Sequence, residues 1–319
     1  MQPARAHAPG KIILFGEHAV VHGQPAIAVP LAAVQTWAEA IPDDFGSGLT
    51  VHAPDVDRTL HVADRFDTLA DASDPLYNAL MFPLQLALDA WNAPLPDLAI
   101  TVRSSIPIAS GLGSGAALAA ALIRALALAL GRSLSNEALN ALVYEVEKRH
   151  HGNPSGVDNT VIVYARPVFF VRGTPPAPFT IGAPFTLVVA DTGVNSPTRL
   201  TVADVGQLYD MHPARITPIF ERIGAITCEA RAAIEAGQIA ALGPLMSENH
   251  ALLRELTVSS PELNELCAAA LSAGASGAKL SGGGRGGNMI ALVTPDRAPV
   301  VARALQEAGA TAVFVTTVA

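Results

Sequence analysis

Charged side chains are scarce in this sequence, and positive charge is scarcer than negative charge. Only 15% of the 319 residues are charged, the formal net charge is -8 and the pI is near 5.5. This balance argues against a nucleic-acid or anionic-membrane partner, because both normally bind a basic face. A polyanionic ligand would therefore be held by backbone N–H groups, a metal ion and a few placed cations. With 50% hydrophobic residues, the chain is predicted to be well packed, as one large or two moderate domains.

Cysteine and long apolar runs are also rare. Cys228 and Cys267 lie in helical patterns without metal-ligand spacing, so we expect two buried free thiols and a cytoplasmic location. We expect no signal peptide, because proline, glycine and charged residues interrupt the segment after Arg5. The most apolar stretch, 116–130, is too short to span a membrane and contains Arg124. It predicts a buried core helix.

Lysine occurs at only three positions, Lys11, Lys148 and Lys279. Lys148 follows Glu147 in a helical pattern and is expected to be solvated. Lys11 and Lys279 lie in segments that are candidates for chemistry, where a compact ammonium group can meet a phosphoryl oxygen or a reacting hydroxyl.

Strand and helix patterns do not alternate strictly, which indicates an α+β fold and not a doubly wound parallel sheet. Strands are predicted at 9–15, 25–32, 50–62, 98–103, 161–171, 185–190, 277–280 and 289–293. Helices are predicted at 74–93, 116–131, 136–150, 213–236 and 298–308, the third capped by Ser135. The proline- and glycine-rich segment 172–178 is the clearest boundary.

A glycine-dense turn from Pro107 to Ala117 connects a predicted strand to the alanine-rich helix. A helix start has unpaired N–H groups and a partial positive charge, and glycines let the backbone wrap closely around a phosphate. Ser114 adds a hydroxyl for a phosphate oxygen or a magnesium ion. An ordinary turn with Ser110 or Ser114 as N-cap is the alternative.

Three segments in order, 8–23, 107–117 and 279–288, resemble the three motifs of the GHMP kinases, a superfamily of small-molecule kinases. The resemblance spans nearly the whole chain, and the segments 16–23 and 151–159 are most similar to the mevalonate kinases. It implies a ribosomal-protein-S5-like N-terminal domain over 1–184 and a ferredoxin-like C-terminal domain over 185–319, with the active site between them. It also implies ATP and Mg²⁺, mevalonate as the small-molecule substrate, phosphorylation of its 5-hydroxyl and, by analogy, a homodimer.

The resemblance also gives roles to individual residues. The ATP phosphates are expected at Pro107, Ser110, Gly111, Leu112, Gly113, Ser114, Gly115 and Ala116, and at Gly283 and Gly284 of the third motif. Magnesium is expected at Ser114 and Glu147, which supply the hard oxygen ligands that this ion prefers.

Asp158 is the expected general base or hydroxyl-orienting carboxylate, and Lys11 is expected to pair with it. Glu17, His18 and Thr198 are the expected substrate-side residues. The alternatives are that Asp158 only starts a turn, that His18 is a satisfied core histidine, and that Glu17 supports Lys11.

The sequence departs from the commoner GHMP pattern at three places. Arg285 stands where glycine is usual, Asn288 where a small residue or cysteine is frequent, and Gly115 replaces a frequent second serine. Nucleotide contacts on the side of the third motif are therefore expected to differ.

Other classes fit less well. The spacings Gly111-x-Gly113-x-x-Ala116 and Gly282-x-Gly284-x-x-Gly287 satisfy the dinucleotide fingerprint of oxidoreductases, but neither has the required strand and helix context. A Walker P-loop is absent from the sequence, and Leu112 breaks the hydrolase nucleophile elbow around Ser114. Phosphomevalonate kinase, or another small-alcohol kinase, is the main alternative within the superfamily. A ligand sensor on a kinase fold is disfavoured by the joint retention of the candidate catalytic and metal-binding residues.

Overall fold

The computed structural model describes residues 2–43, 47–64, 66, 74–107, 110–151, 154–195 and 198–319. Its strands are β1 (Ala4–Phe15), β2 (Pro25–Pro42), β3 (Leu49–Ala53), β4 (Arg58–Val62), β5 (Leu98–Ser104), β6 (Val168–Val171), β7 (Ala177–Pro178), β8 (Phe185–Asp191), β9 (Gly277–Ser281), β10 (Asn288–Val293) and β11 (Ala312–Val318). Its α-helices are α1 (Pro75–Leu80), α2 (Phe82–Ala90), α3 (Ser114–Ala129), α4 (Asn136–His151), α5 (Val157–Tyr164), α6 (Thr198–Met211), α7 (Pro213–Glu235), α8 (Leu242–Glu255), α9 (Pro261–Ser272) and α10 (Ala298–Glu307). Short 3-10 helices lie at Ala19–His22, Pro54–Val56 and Ile239–Ala241. The predicted α+β class is confirmed.

The chain divides into two compact units that interleave along the sequence. Unit 1 comprises Met1–Gly10, Val34–Ala109 and Gly113–Ala165. Unit 2 comprises Lys11–Ala33, Ser110–Leu112 and Arg166–Ala319. The predicted domain boundary between residues 184 and 185 stays a prediction.

Unit 1 contains a mixed sheet and, among the described residues, five α-helices, of which α3 is the central one. The strand order is β4–β3–β5–β2, with β3 parallel to β5 and the other pairs antiparallel. Helix α3 contacts each of the other four helices and β5. Its alanines are buried on most sides, and such small side chains let neighbouring helices pack closely while favouring the helix itself. The N-terminus of α3 is thereby held firmly in place within unit 1.

Unit 2 contains a four-stranded antiparallel sheet in the order β11–β8–β10–β9. Met289 on β10 lies opposite both Ala190 and Leu280. Helices α8 and α9 contact β9, and α10 contacts β8 and β11, so the sheet is covered by amphipathic helices. The same unit contains the N-terminal half of β2, where Ala26 lies opposite Phe170 of β6. The core combines the sheet with the helices and includes Val188, Ile216, Ile223, Leu266 and Val301.

Four local predictions are wrong. The segment 50–62 is two strands, because the 3-10 helix Pro54–Val56 separates β3 from β4. The segment 161–171 is not one strand, because α5 continues to Tyr164 and only Val168–Val171 is extended. Buried Val161 and its neighbours pack with α3 and α4, so tertiary packing outweighs β-branched propensity. The helix predicted over 74–93 is two helices, since proline at the start of α2 has no N–H to continue the first one. Cys228 is exposed, whereas Cys267 is buried as expected.

The described residues include no helix with the length and apolar composition of a membrane span.

Candidate active site

The second glycine motif leads into the N-terminus of α3. Its N-cap is Gly113, with a left-handed φ of 79°, and no side chain caps the helix. The N–H of Ala117 donates to the Gly113 carbonyl at 3.0 Å, and the N–H groups of the three residues before Ala117 belong to the uncapped first turn. The alternative in which a serine caps this helix is wrong. The helix end therefore has the backbone geometry of an anion site, and the roles of its residues toward ATP stay predictions.

Glu147 lies beside this first turn of α3. It comes from α4 and is buried, and its Oε1 is 3.5 Å from the position that a Cβ on Gly115 would occupy. Glycine at 115 therefore leaves room for a carboxylate next to Ser114. The positive end of the helix dipole favours that negative charge. A hydroxyl and a carboxylate are donors that suit Mg²⁺, so the pair fits the predicted metal role.

Residues Ser110–Leu112 of the second motif belong to unit 2 and are hydrogen-bonded there to the first and third motifs. Asn288 Nδ2 donates to the Ser110 carbonyl at 2.7 Å, and the backbone N–H of Lys11 donates to the Leu112 carbonyl at 2.9 Å. The departure at position 288 thus has a structural role. An amide at this position connects the third motif to the second, which a smaller residue could not do.

His18, Gly283 and Thr198 are brought together in unit 2. His18 Nε2 donates to the Gly283 carbonyl at 2.9 Å. Thr198 begins α6, and a Cβ on Gly283 would lie 2.7 Å from its Oγ1 and 3.0 Å from its Cα. Only glycine therefore fits at position 283 with Thr198 this close. Two predicted substrate-side residues therefore contact the third motif directly.

His18 is buried and neutral. Burial lowers the pKa of its imidazole to about 4, so the ring carries one hydrogen. Because the Gly283 carbonyl can only accept, that hydrogen is on Nε2, and Nδ1 is left as an acceptor. Nδ1 is buried and has no hydrogen-bond partner among the described residues. His18 also adopts a left-handed φ of 61°, which is uncommon for a residue with a side chain. These features argue against a satisfied core histidine.

Arg285, the other departure in the third motif, has a left-handed φ of 57°. Its backbone N–H donates to the Val258 carbonyl at 2.7 Å, and its guanidinium forms an ion pair with Asp204 on α6. The preceding Gly284 is also left-handed, and a Cβ there would collide with the Val258 carbonyl. Arg285 thus joins the third motif to the helix that Thr198 begins.

Glu17 is paired with Lys279. The two side chains form an ion pair within unit 2 and are almost completely buried. Asn249 Nδ2 donates to the other carboxylate oxygen of Glu17 at 3.2 Å. The substrate role of Glu17 stays a prediction. Its pairing with Lys279 was not predicted, because the two lie 262 residues apart in sequence.

Asp158 lies half-buried in the first turn of α5, in unit 1. Asn159 Nδ2 donates to Asn140 Oδ1 at 2.8 Å, and Asn140 Nδ2 donates to Thr160 Oγ1 at 3.3 Å. This α4–α5 network fixes the turn that carries Asp158. Asn140 was not predicted as part of it, because nothing in the local sequence of α4 distinguishes this residue from its neighbours. Asp158 starts a helix and not only a turn. Lys11 is buried in β1 and belongs to unit 2, and its pairing with Asp158 stays a prediction.

Outside the described residues lie 108–109 of the second motif, 152–153 of the segment 151–159, and 196–197, which come just before Thr198.

Neither dinucleotide fingerprint has the structural context of a nicotinamide-binding fold. The first is followed by α3 and then by another helix, α4, and the second lies between the antiparallel strands β9 and β10. A Rossmann site requires a strand, the glycine turn and a helix within a βαβ unit. The oxidoreductase alternative is therefore not supported.

Two family models match the chain. "GHMP kinases N terminal domain" matches residues 80–166, and "GHMP kinases C terminal" matches residues 230–311. With the α+β fold and the glycine motifs, these matches show that the chain belongs to the GHMP kinase family. The mevalonate kinase of Pyrococcus horikoshii is 36% identical over 316 residues, which cover 95% of this chain and 92% of that relative.

Solved structures agree with this assignment. The crystal structure of L. major mevalonate kinase in complex with R-mevalonate is 30% identical, with a TM-score of 0.83 and coverage of 98% of this chain and 95% of that chain. Streptococcus pneumoniae phosphomevalonate kinase is only 16% identical, with a TM-score of 0.76 and coverage of 98% and 99%, and shares the fold. The resemblance to GHMP kinases, and to mevalonate kinases among them, is confirmed.

Proposed function

We propose that this chain is a mevalonate kinase, a phosphotransferase with an alcohol acceptor that transfers the γ-phosphoryl group of ATP to the 5-hydroxyl of mevalonate. This reaction belongs to the mevalonate pathway of isoprenoid precursor synthesis. The proposal is carried by identity of 30% and 36% with two mevalonate kinases over almost the full chain. The main alternative, phosphomevalonate kinase, is supported by likeness of fold alone.

In the proposed reaction the 5-hydroxyl oxygen forms a bond to the γ-phosphorus of ATP while the bond from that phosphorus to the leaving ADP oxygen breaks. Asp158 orients the hydroxyl and accepts its proton. Lys11 offsets negative charge on the transferred phosphoryl group. The N–H groups at the start of α3 bind the ATP phosphates, and the segment with His18 and Thr198 binds the acceptor.

Magnesium dependence is part of the proposal. Ser114 and the buried Glu147 would hold the ion, since the space above Gly115 keeps the carboxylate next to the serine. When bound, Mg²⁺ neutralises charge on the phosphate oxygens. A homodimer and a cytoplasmic location are also proposed, the first by analogy with the family and the second from cysteine usage.

The test is a phosphorylation screen of the purified protein with ATP and magnesium. Mevalonate, phosphomevalonate, galactose and homoserine are offered separately, and each product is identified by mass. We expect 5-phosphomevalonate from mevalonate and at least about a hundredfold lower kcat/KM for the other acceptors, about 2.7 kcal/mol of discrimination. Faster turnover of phosphomevalonate than of mevalonate would assign the chain to the alternative.

A further inference from the structure

A buried polar network surrounds Lys279 in unit 2. The Lys279 side chain has no exposed surface, and that of Glu17 is 1% exposed. Lys279 Nζ forms the ion pair with Glu17 Oε1 and donates to the Leu280 carbonyl at 2.7 Å, and it lies 5.9 Å from the centre of the Phe15 ring. A carboxylate, a carbonyl and an aromatic face thus surround one ammonium group. An ammonium without such partners would be too costly to bury.

The network extends to helix α8. Asn249 donates to Glu17 Oε2, and the N–H of Leu280 donates to His250 Nδ1 at 3.3 Å. Burial and the Lys279 charge lower the pKa of His250 to about 4, so His250 adds no second positive charge. Burial also lowers the pKa of Lys279, and the nearby Glu17 carboxylate opposes that shift. With His250 neutral, the network contains one ion pair, that of Lys279 with Glu17.

The ion pair lies between two functional segments. Glu17 immediately precedes His18 in the first motif, and Lys279 on β9 is the first residue of the third motif. Two further bonds join the same segments, from His18 Nε2 to the Gly283 carbonyl and from Ser281 Oγ to the Ile13 carbonyl at 2.7 Å. Three side-chain links therefore join residues 13–18 to residues 279–283, and we expect the position of His18 to depend on the other two.

We propose that Lys279 is a positioning residue: through Glu17 it holds the His18 segment against the Gly283 carbonyl, and so sets the acceptor-binding side of the site relative to the third glycine motif. Lys279 does not touch the reacting atoms. A purely structural role would concern the stability of unit 2 alone. The positioning role extends to the environment of His18 and to the affinity for the acceptor.

The first test uses two variants and the NMR titration of His18. Lys279→Met removes the ammonium, and the double variant Lys279→Met with Glu17→Gln removes both charges and leaves no unpaired buried ion, so it is the variant more certain to fold. The His18 signal is assigned by its loss in His18→Asn. In the wild type it should titrate near pH 4. In both variants we expect the His18 pKa to rise by at least about one unit toward 6.5 as the imidazole leaves its buried contact.

Arg285 and His22 are the charged or titratable groups that also lower the His18 pKa, and neither is altered in these variants. Lys148→Met is the matched control, because Lys148 is exposed and pairs with Glu145 at the surface. The control should leave the His18 titration unchanged. Should both test variants fail to fold, Asn249→Ala releases only one oxygen of Glu17, and we expect a smaller shift in the same direction.

The second readout rests on the proposed function. In the folded variants the KM for mevalonate should rise at least about tenfold, with a smaller change in the KM for ATP and in kcat. A folded double variant with a His18 pKa near 4 and a wild-type KM would overturn the proposal, because Lys279 would then only fill its cavity. If the wild-type protein does not phosphorylate mevalonate, the proposed function fails, and the His18 titration still decides the role of Lys279.

Discussion

At the residue scale, two histidines of unit 2 are held neutral by burial. The pKa values of His18 and His250 are both lowered to about 4, from an ordinary value near 6.5. Between these limits the unfolded chain binds protons that the folded chain does not. The free energy of unfolding therefore rises with pH in this window. The stabilisation that comes from keeping the two histidines neutral is fully present above about pH 6.5 and is lost as the pH falls toward 4.

The expected result is a urea unfolding midpoint that decreases steadily from pH 7 to pH 5. Each histidine contributes a slope of up to about 1.4 kcal/mol per pH unit. His250→Gln removes one titrating group and keeps an acceptor for the Leu280 N–H, so its slope should be shallower than that of the wild type. Equal slopes in the two proteins would show that His250 is not buried neutral.

Asp158 carries the second prediction at this scale. Asp158→Asn keeps the shape of the side chain and removes its charge, so turnover of mevalonate should fall by roughly 10² to 10⁴, the usual contribution of a positioned acid–base group. ATP binding, measured by calorimetry, should be retained. Lys11→Met should cause a comparable loss, and the double variant should lose less than the product of the two, since both act on one transition state.

Asp89→Asn is the control for this loss, because Asp89 is exposed on α2. Its turnover should match that of the wild type. Near-normal turnover in Asp158→Asn would mean that the transfer needs no base at this position.

The candidate residues near glycine motifs could be predicted from sequence because they are close to each other along the chain. Ser114 and the first turn of α3 are of this kind, and the uncapped helix end follows from the glycines before it. Partners brought in from distant elements could not be found in this way. Asn249 reaches Glu17 across 232 positions and Asp204 reaches Arg285 across 81, and no local pattern specifies such pairs.

At the element scale, the third glycine motif contains two adjacent glycines with different constraints. Gly282 has a left-handed φ of 86° and open space at its Cβ position, whereas Gly283 has no left-handed φ but lies against Thr198. Replacing each with alanine separates backbone strain from a steric clash.

Gly282→Ala should lower the unfolding free energy by about 1 kcal/mol through strain and change the KM for mevalonate little. Gly283→Ala should push Thr198 and the start of α6 away and raise that KM several-fold, because Thr198 is a predicted substrate contact. Steady-state kinetics and thermal melting of both variants check this. A larger KM effect from Gly282→Ala would contradict the assigned role of Thr198.

Element prediction failed where packing overrides local preference. The sequence 161–163 is β-branched, and yet it forms the buried face of α5. Strands β5, β8 and β10 were found, because short apolar runs of that length favour strands. Helices α6 and α8 were not predicted, although their apolar residues recur at helical spacing as clearly as in the helices that were. Of α9, only the helical pattern around Cys267 was recognised.

At the scale of the whole molecule, ligand binding should change stability. A ligand that binds only the folded state stabilises it by about 2.7 kcal/mol at a hundred times its Kd. ATP with magnesium should therefore raise the melting temperature by a few degrees, and NAD or NADP should not. The matched control is ATP without magnesium, for which we expect a smaller shift. Stabilisation by NAD alone would restore the oxidoreductase reading.

The interleaved division of the chain has a consequence for its biosynthesis. Unit 2 needs Lys11–Ala33, which leaves the ribosome early, and also β9 to β11, which leave last. Until Lys279 is synthesised, Glu17 has no counter-ion, and a fragment starting at residue 185 would bury an ammonium whose carboxylate it lacks. Residues 11–33 therefore cannot complete their packing in unit 2 while 34–165 is translated, and the two fragments produced by a cut before residue 185 should need each other to fold.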